Sequence, residues 1–172
     1  MKTLKQHIFE KLKVSKNPYT LFPKTNEELK HMIEDEISKN GYECSLNHID
    51  VSKIIDMSGL FYKSKFNGDI SEWNVSSVTD MSYMFYNSKF NRDISNWDVS
   101  NVENMKCMFY GAKFNGDISN WDVSNVENMY AMFLFSAFSG DISNWDVSNV
   151  KNMAYIFGST PLEKNPPKWY KK

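Results

Sequence analysis

Cysteine is scarce in this 172-residue chain: Cys44 and Cys107 stand far apart in sequence and in unlike contexts. That excludes a disulfide framework and any zinc-ligand spacing, and it fits two free thiols in a reducing compartment. His7, His31 and His48 are scattered, and none sits at ligand spacing from a cysteine or another histidine. No apolar run approaches the about 18 residues of a membrane-spanning helix. A secretory signal needs about 7–15 uninterrupted apolar residues. Lys5, Glu10, Lys11 and Lys13 interrupt every such stretch near the start. The expectation is a cytoplasmic or particle-associated protein, at a surface only if a signal has been removed. An excess of either charge is also missing: the net charge is −1, so nothing global points to nucleic acid. Hydrophobic residues make up 41% of the chain, enough for a core and too many for wholesale disorder. The length suits one domain.

What the chain has in abundance is repetition. Phe66-Asn67-Gly68-Asp69-Ile70-Ser71 returns at Phe90, Phe114 and Phe138, a step of 24 residues each time, and Trp73, Trp97, Trp121 and Trp145 keep the same step. The register extends backward to Ile49, Val51, Ile54, Met57 and Phe61, and forward to Trp169. Residues 1–45 therefore form a helical N-terminal segment and cap. Residues 46–160 form one degenerate and four full repeats, and residues 161–172 a truncated repeat and C-terminal cap. Pro166 and Pro167 fall where Ile142 and Ser143 would recur, and proline cannot donate to a ladder, so this stretch reads as a stop.

A 24-residue period lies in the leucine-rich-repeat range. Leu46-x-x-Ile49-x-Val51 and Ile70-x-x-Trp73-x-Val75 fit its strand phrase, with the alternation of a half-buried strand. Val78-x-x-Met81-x-x-Met84-Phe85 puts one apolar stripe on a short helix or a few 3₁₀ turns. The expected fold is an α/β repeat solenoid, leucine-rich-repeat-like. Each 24-residue coil contributes one short parallel strand and one short helical segment, preceded by an α-helical cap. Single coils cannot bury Phe66, Ile70, Trp73, Val75, Val78, Met81, Met84 and Phe85, but stacked coils can.

The phrase Phe-Asn-Gly-Asp-Ile-Ser-x-Trp-Asp-Val-Ser-Asn-Val-x-Asn-Met-x-x-Met-Phe resembles the BspA-like bacterial surface-protein repeat, a divergent leucine-rich-repeat group. The resemblance covers roughly Leu46 to Phe157. It implies a repeat fold and, by analogy with some members, adhesin-like binding of proteins.

Two helices are expected before the repeats. Leu4, His7-Ile8 and Leu12 give a basic amphipathic helix of residues 4–14, readable as further cap, as a docking segment or as a membrane-surface helix. Thr25 with Glu28 is a capping-box signature for a second helix carrying Leu29, Met32-Ile33 and Ile37, stopped at Asn40-Gly41. Its expected role is to cover the end of the first coil.

If the strand assignment holds, three polar rows point outward. Asp50, Asn74, Asp98, Asp122 and Asp146 form one; His48, Glu72, Asn96, Asn120 and Asn144 a second; Ser52, Ser76, Ser100, Ser124 and Ser148 a third. Like charges about 4.8 Å apart repel by about 0.9 kcal/mol in water, which a cationic partner would relieve. Alternatively, Asp and Asn near Ser bond nearby backbone amides and hold turns. Asp69, Asp93, Asp117 and Asp141 suit that turn role. Tyr83, Cys107, Tyr130 and Tyr155 occupy less regular positions, where exposed aromatics would support an interface.

No nucleophile–base pair, metal set or phosphate loop is present in the sequence, so no catalytic residue, metal or cofactor is expected. The expected function is a non-enzymatic protein-interaction or scaffold module, with a protein partner meeting Asp50, Asn74, Asp98, Asp122, Asp146, Glu72, Asn96, Asn120 and Asn144. The alternative is a structural component of a phage particle or bacterial surface. No nucleic acid and no membrane span enter either reading.

Overall fold

The computed structural model describes residues 18–171. The helix expected over residues 4–14 lies outside the described residues. Helix α1 spans Asn26–Asn40. Thr25 caps its N-terminus, its hydroxyl accepting the Glu28 amide at 3.1 Å, while the Glu28 carboxylate accepts the Lys24 amide at 2.7 Å. Gly41, with φ +84°, ends it, a conformation that suits glycine.

The rest corrects the expected α/β solenoid. Among the described residues there is no β-strand and no sheet, and beside α1 the only helix is a 3₁₀ turn at Pro161–Glu163. Successive repeats touch through single parallel bridges: Asp56 to Asp80, Asp80 to Asn104, Asn104 to Asn128, and Asn128 to Asn152. The leucine-rich-repeat reading falls with the strands, for a local reason. The phrase Ile94-x-x-Trp97-x-Val99 closes a tight turn, Trp97 N–H donating to the Ile94 carbonyl at 3.2 Å. A second turn follows at once, Val102 N–H to the Val99 carbonyl at 2.9 Å. Only the Trp97-Asp98-Val99 step separates them, too short to build a ladder.

The methionine–phenylalanine stripe fails as a helix for a related reason. Met108, Tyr110 and Ala112 do donate three residues back, at 3.2, 3.2 and 3.0 Å. But Cys107 and Gly111 have φ of +54° and +61°, and a right-handed helix cannot run through them. The same two positions are left-handed in each of the five repeats, at Gly59, Tyr83, Cys107, Ala131 and Tyr155 and again at Lys63, Asn87, Gly111, Phe135 and Ser159. The result is a double turn. Its even-numbered amides bond within the repeat. Its odd-numbered amides, Met105, Cys107, Phe109 and Gly111, donate to Asn128, Tyr130, Met132 and Leu134 of the next repeat at 2.8–2.9 Å.

Inside, identical side chains stack on themselves. Phe61, Phe85, Phe109 and Phe133 lie 5.5, 5.5 and 5.7 Å apart, nearly coplanar in orientation, and Phe66, Phe90, Phe114 and Phe138 repeat at 6.3 Å. These parallel, offset pairs are a favoured aromatic arrangement. Four tryptophans are buried and Trp169 is half-buried, and each indole N–H reaches back across a repeat: Trp73 to Leu46, Trp97 to Ile70, Trp121 to Ile94, Trp145 to Ile118 and Trp169 to Ile142, at 2.8–3.1 Å. From Leu46 on, one carbonyl per repeat thus accepts both the turn amide and an indole. Trp169 makes the same 27-residue reach as the four tryptophans before it.

Each end is closed differently. Leu29 and Ile33 of α1 are buried against the first repeat, and Asn26 Nδ2 donates to Asp56 Oδ1 and to the Ser58 carbonyl, both at 3.2 Å. Trp169 and Tyr170 pack on Phe157, with ring centroids 5.7 and 5.2 Å away.

Trp121→Phe keeps the ring in the core but removes the indole donor to Ile94 and part of the packed volume. It is expected to cost about 1–3 kcal/mol in urea-induced unfolding, with the slope of the transition unchanged.

Candidate functional site

Three side-chain-closed turns recur in every repeat, and they decide what the polar rows are. Asp50, Asn74, Asp98, Asp122 and Asp146 each accept, through Oδ1, the amide of the serine two residues on, at 3.0, 3.2, 3.1, 3.0 and 3.0 Å. Asp69, Asp93, Asp117 and Asp141 do the same for Ser71, Ser95, Ser119 and Ser143 at 2.9–3.0 Å. Asp56, Asp80, Asn104, Asn128 and Asn152 form the third set at 2.7–3.2 Å. Asn stands for Asp in the first and third of these rows because the job needs an acceptor oxygen, which both supply, while the second row is Asp throughout.

The rows expected on a strand therefore sit on turns. Asn74, Asp98, Asp122 and Asp146 are exposed and Asp50 is half-buried; Glu72, Asn96, Asn120 and Asn144 are exposed at the adjoining turn. The structure brings these residues together as rows on the surface, with one oxygen of each Asp engaged locally. Hydrogen bonds from the Ser95 amide and then its hydroxyl hold Asp93 below the usual carboxylate range, and the Ser119 amide does so for Asp117. At Asp122 and Asp141 the serine hydroxyl leads, and at Asp146 the amide leads. These carboxylates are charged at neutral pH.

A different feature emerges on the double turns. Tyr62, Tyr86 and Tyr110 stack at 4.8 and 4.5 Å, and Phe135 meets Tyr110 edge-on at 5.6 Å. At the start of the same turns the Lys106 ammonium lies 5.5 and 5.9 Å from the ring centres of Tyr83 and Tyr130, and Tyr155 meets Tyr130 edge-on at 5.9 Å. Tyr62, Phe135 and Tyr155 are 48%, 57% and 64% exposed, far above what isolated aromatic core residues show, so this is an accessible strip. Tyr83, Tyr86, Tyr110 and Tyr130 are half-buried. Cys107, grouped with them by sequence, is buried, which raises its thiol pKa and removes it from the surface. The row of Tyr62, Tyr86 and Tyr110 was missed by the sequence reading, although each follows a core phenylalanine at the same 24-residue step.

Among the described residues no three His, Cys, Asp or Glu side chains gather as a cation site, and no helix is long and apolar enough to cross a membrane. A shallow groove lined by Asn101, Glu103, Asn125, Glu127 and Asn149 is polar throughout, with Lys151 paired to Glu127 at 2.7 Å.

Residues 27–135 and 111–171 each match the family described as Mycoplasma protein of unknown function, DUF285. The chain belongs to this family. The two matches overlap over residues 111–135, about one repeat, as expected when a repeat-type family model can sit in two registers on the same DUF285 stack. No curated protein and no solved structure is detectably similar to the chain.

Asp117→Asn keeps the turn acceptor and should leave the thermal midpoint at pH 7 nearly unchanged, whereas Asp117→Ala opens the turn and should lower it. Because these carboxylates are depressed in the fold, the unfolded chain takes up protons first on acidification. Stability should hold above about pH 4 and fall below it. Replacing Asp93, Asp117 and Asp141 together by Asn should flatten that fall in an acid titration followed by circular dichroism.

Proposed function

We propose that this protein is a non-enzymatic interaction module that binds a protein partner through the aromatic strip on its double turns. The strip carries the reading: exposed Tyr62, Phe135 and Tyr155 with half-buried Tyr86 and Tyr110, held in a row, are of the residue types enriched in protein interfaces, and tyrosine brings large contact area with few torsions to freeze. The fixed spacing between repeats pre-organises them, which lowers the ordering cost of binding. The exposed rows at Asp98, Asp122, Asp146, Asn96, Asn120 and Asn144 supply the polar component, each Asp keeping one oxygen for a partner while the other serves its turn. The resemblance of the repeat phrase to the BspA-like surface group supports a protein-binding role of the same kind.

The test is affinity capture from native cells with the full chain and with a Tyr86→Ser/Tyr110→Ser/Phe135→Ser variant, both shown to be folded. A specific protein captured by the native chain and reduced at least about tenfold with the variant supports the strip. Capture that is equal for both chains overturns it.

A further inference from the structure

The near-zero net charge conceals a separation by position within each repeat. Residues 57–66, 81–90, 105–114 and 129–138, the double turns and their exits, carry Lys63, Lys65, Lys89, Lys106 and Lys113 and no carboxylate at all. Residues 67–80, 91–104, 115–128 and 139–152 carry every Asp and Glu of the four full repeats. The two cations that fall in those acidic stretches are both used: Arg92 pairs with Glu43 and Lys151 with Glu127, each at 2.7 Å. By contrast, among the described residues no ion pair involves any of the five lysines of the double turns. Lys63, Lys65, Lys89 and Lys113 are exposed, as are Asp69, Asp93, Asp117 and Asp141 and the Asp98–Asp122–Asp146 row.

Two charge rows of opposite sign, with no ion pair between them among the described residues, therefore run along one molecule at different positions of each repeat. Both advance by the same 24-residue step, so they share one spacing. A lysine row of one molecule laid along an aspartate row of another would match charge for charge over three repeats, a register that an unrelated polyanion would meet only by coincidence.

We propose that the occupant of the lysine-and-tyrosine face is the carboxylate face of a second copy of this chain. The inference rests on the interaction-module reading and specifies one partner for it. Lys65, Lys89 and Lys113 of one copy meet the Asp93–Asp117–Asp141 or the Asp98–Asp122–Asp146 row of the next, and the exposed tyrosine edges are covered in the process. The contact joins two different patches, so each copy retains one free lysine face and one free carboxylate face, and association is open-ended.

Sedimentation of the full chain tests this. Association is expected at about 0.05 M salt and should weaken at least about tenfold at about 0.5 M, because exposed charge pairs are screened. Lys65→Gln/Lys89→Gln/Lys113→Gln should abolish it. So should Asp→Asn at Asp93, Asp98, Asp117, Asp122, Asp141 and Asp146 together, which preserves every turn acceptor and hence the fold. Mixing the two variants should restore association, but only as a one-to-one pair, since each retains the face the other lacks. A chain that stays monomeric at low salt, association indifferent to salt or to both variants, or a mixture that does not pair would overturn the proposal. A monomeric chain that still captures a different protein through its aromatic strip would remove this inference and leave the module reading in place; loss of both would remove both.

Discussion

Each double turn sends every second amide to the following repeat and keeps the others for itself. Met105, Cys107, Phe109 and Gly111 point onward while Met108, Tyr110 and Ala112 close turns at home. The other features of the stack follow from this alternation. It requires left-handed backbone at two positions per repeat, several of them occupied by residues that pay for it sterically, such as Tyr83, Ala131 and Phe135. It locks successive repeats in register, so phenylalanines must stack on phenylalanines and each indole must find the carbonyl 27 residues back. It also leaves the residue after each core phenylalanine directed away from the phenylalanine stack, where Tyr62, Tyr86 and Tyr110 become a continuous row.

The polar rows share that origin. Turns built at three corners of every repeat need an acceptor for an amide that no strand would satisfy, and Asp or Asn two residues before the donor supplies it. Repetition then copies the acceptor at a fixed spacing. Where the copy is Asp, a line of like charges results; the mutual repulsion appears at Asp146 beside Asp122 and at Asp93 beside Asp117, overcome in each case by hydrogen bonds from the following serine. Charge rows and binding potential are thus consequences of how the backbone turns, and among the described residues the lysines of the double turns pair with none of these carboxylates.

Much of this was legible in the sequence. The 24-residue step, the inward tryptophans and methionines, the register of the degenerate first repeat, Trp169 at its forward end, and α1 with Thr25 and Gly41 at its ends all follow from spacing and capping chemistry. The strand was misread because Ile-x-x-Trp-x-Val satisfies an alternating pattern as well as it satisfies two back-to-back turns; apolar periodicity alone does not distinguish them over six residues. The helical stripe was misread because three-residue bonding is shared by 3₁₀ helices and consecutive turns, and residues such as Cys107 and Tyr155 give no hint of positive φ. Of the surface, the turn-closing role of the Asp–Ser pairs could be read from their spacing, whereas the tyrosine row was hidden by its adjacency to core phenylalanines.

The most direct measurement is backbone φ in solution, from scalar couplings and chemical shifts of the full chain, at Tyr83, Cys107, Ala131 and Tyr155. Positive φ at all four, with right-handed or extended values at their neighbours, is what a turn-built stack requires. Negative φ at these positions, running on as a continuous helical or extended segment, would contradict the alternation on which the aromatic strip and the charge rows depend.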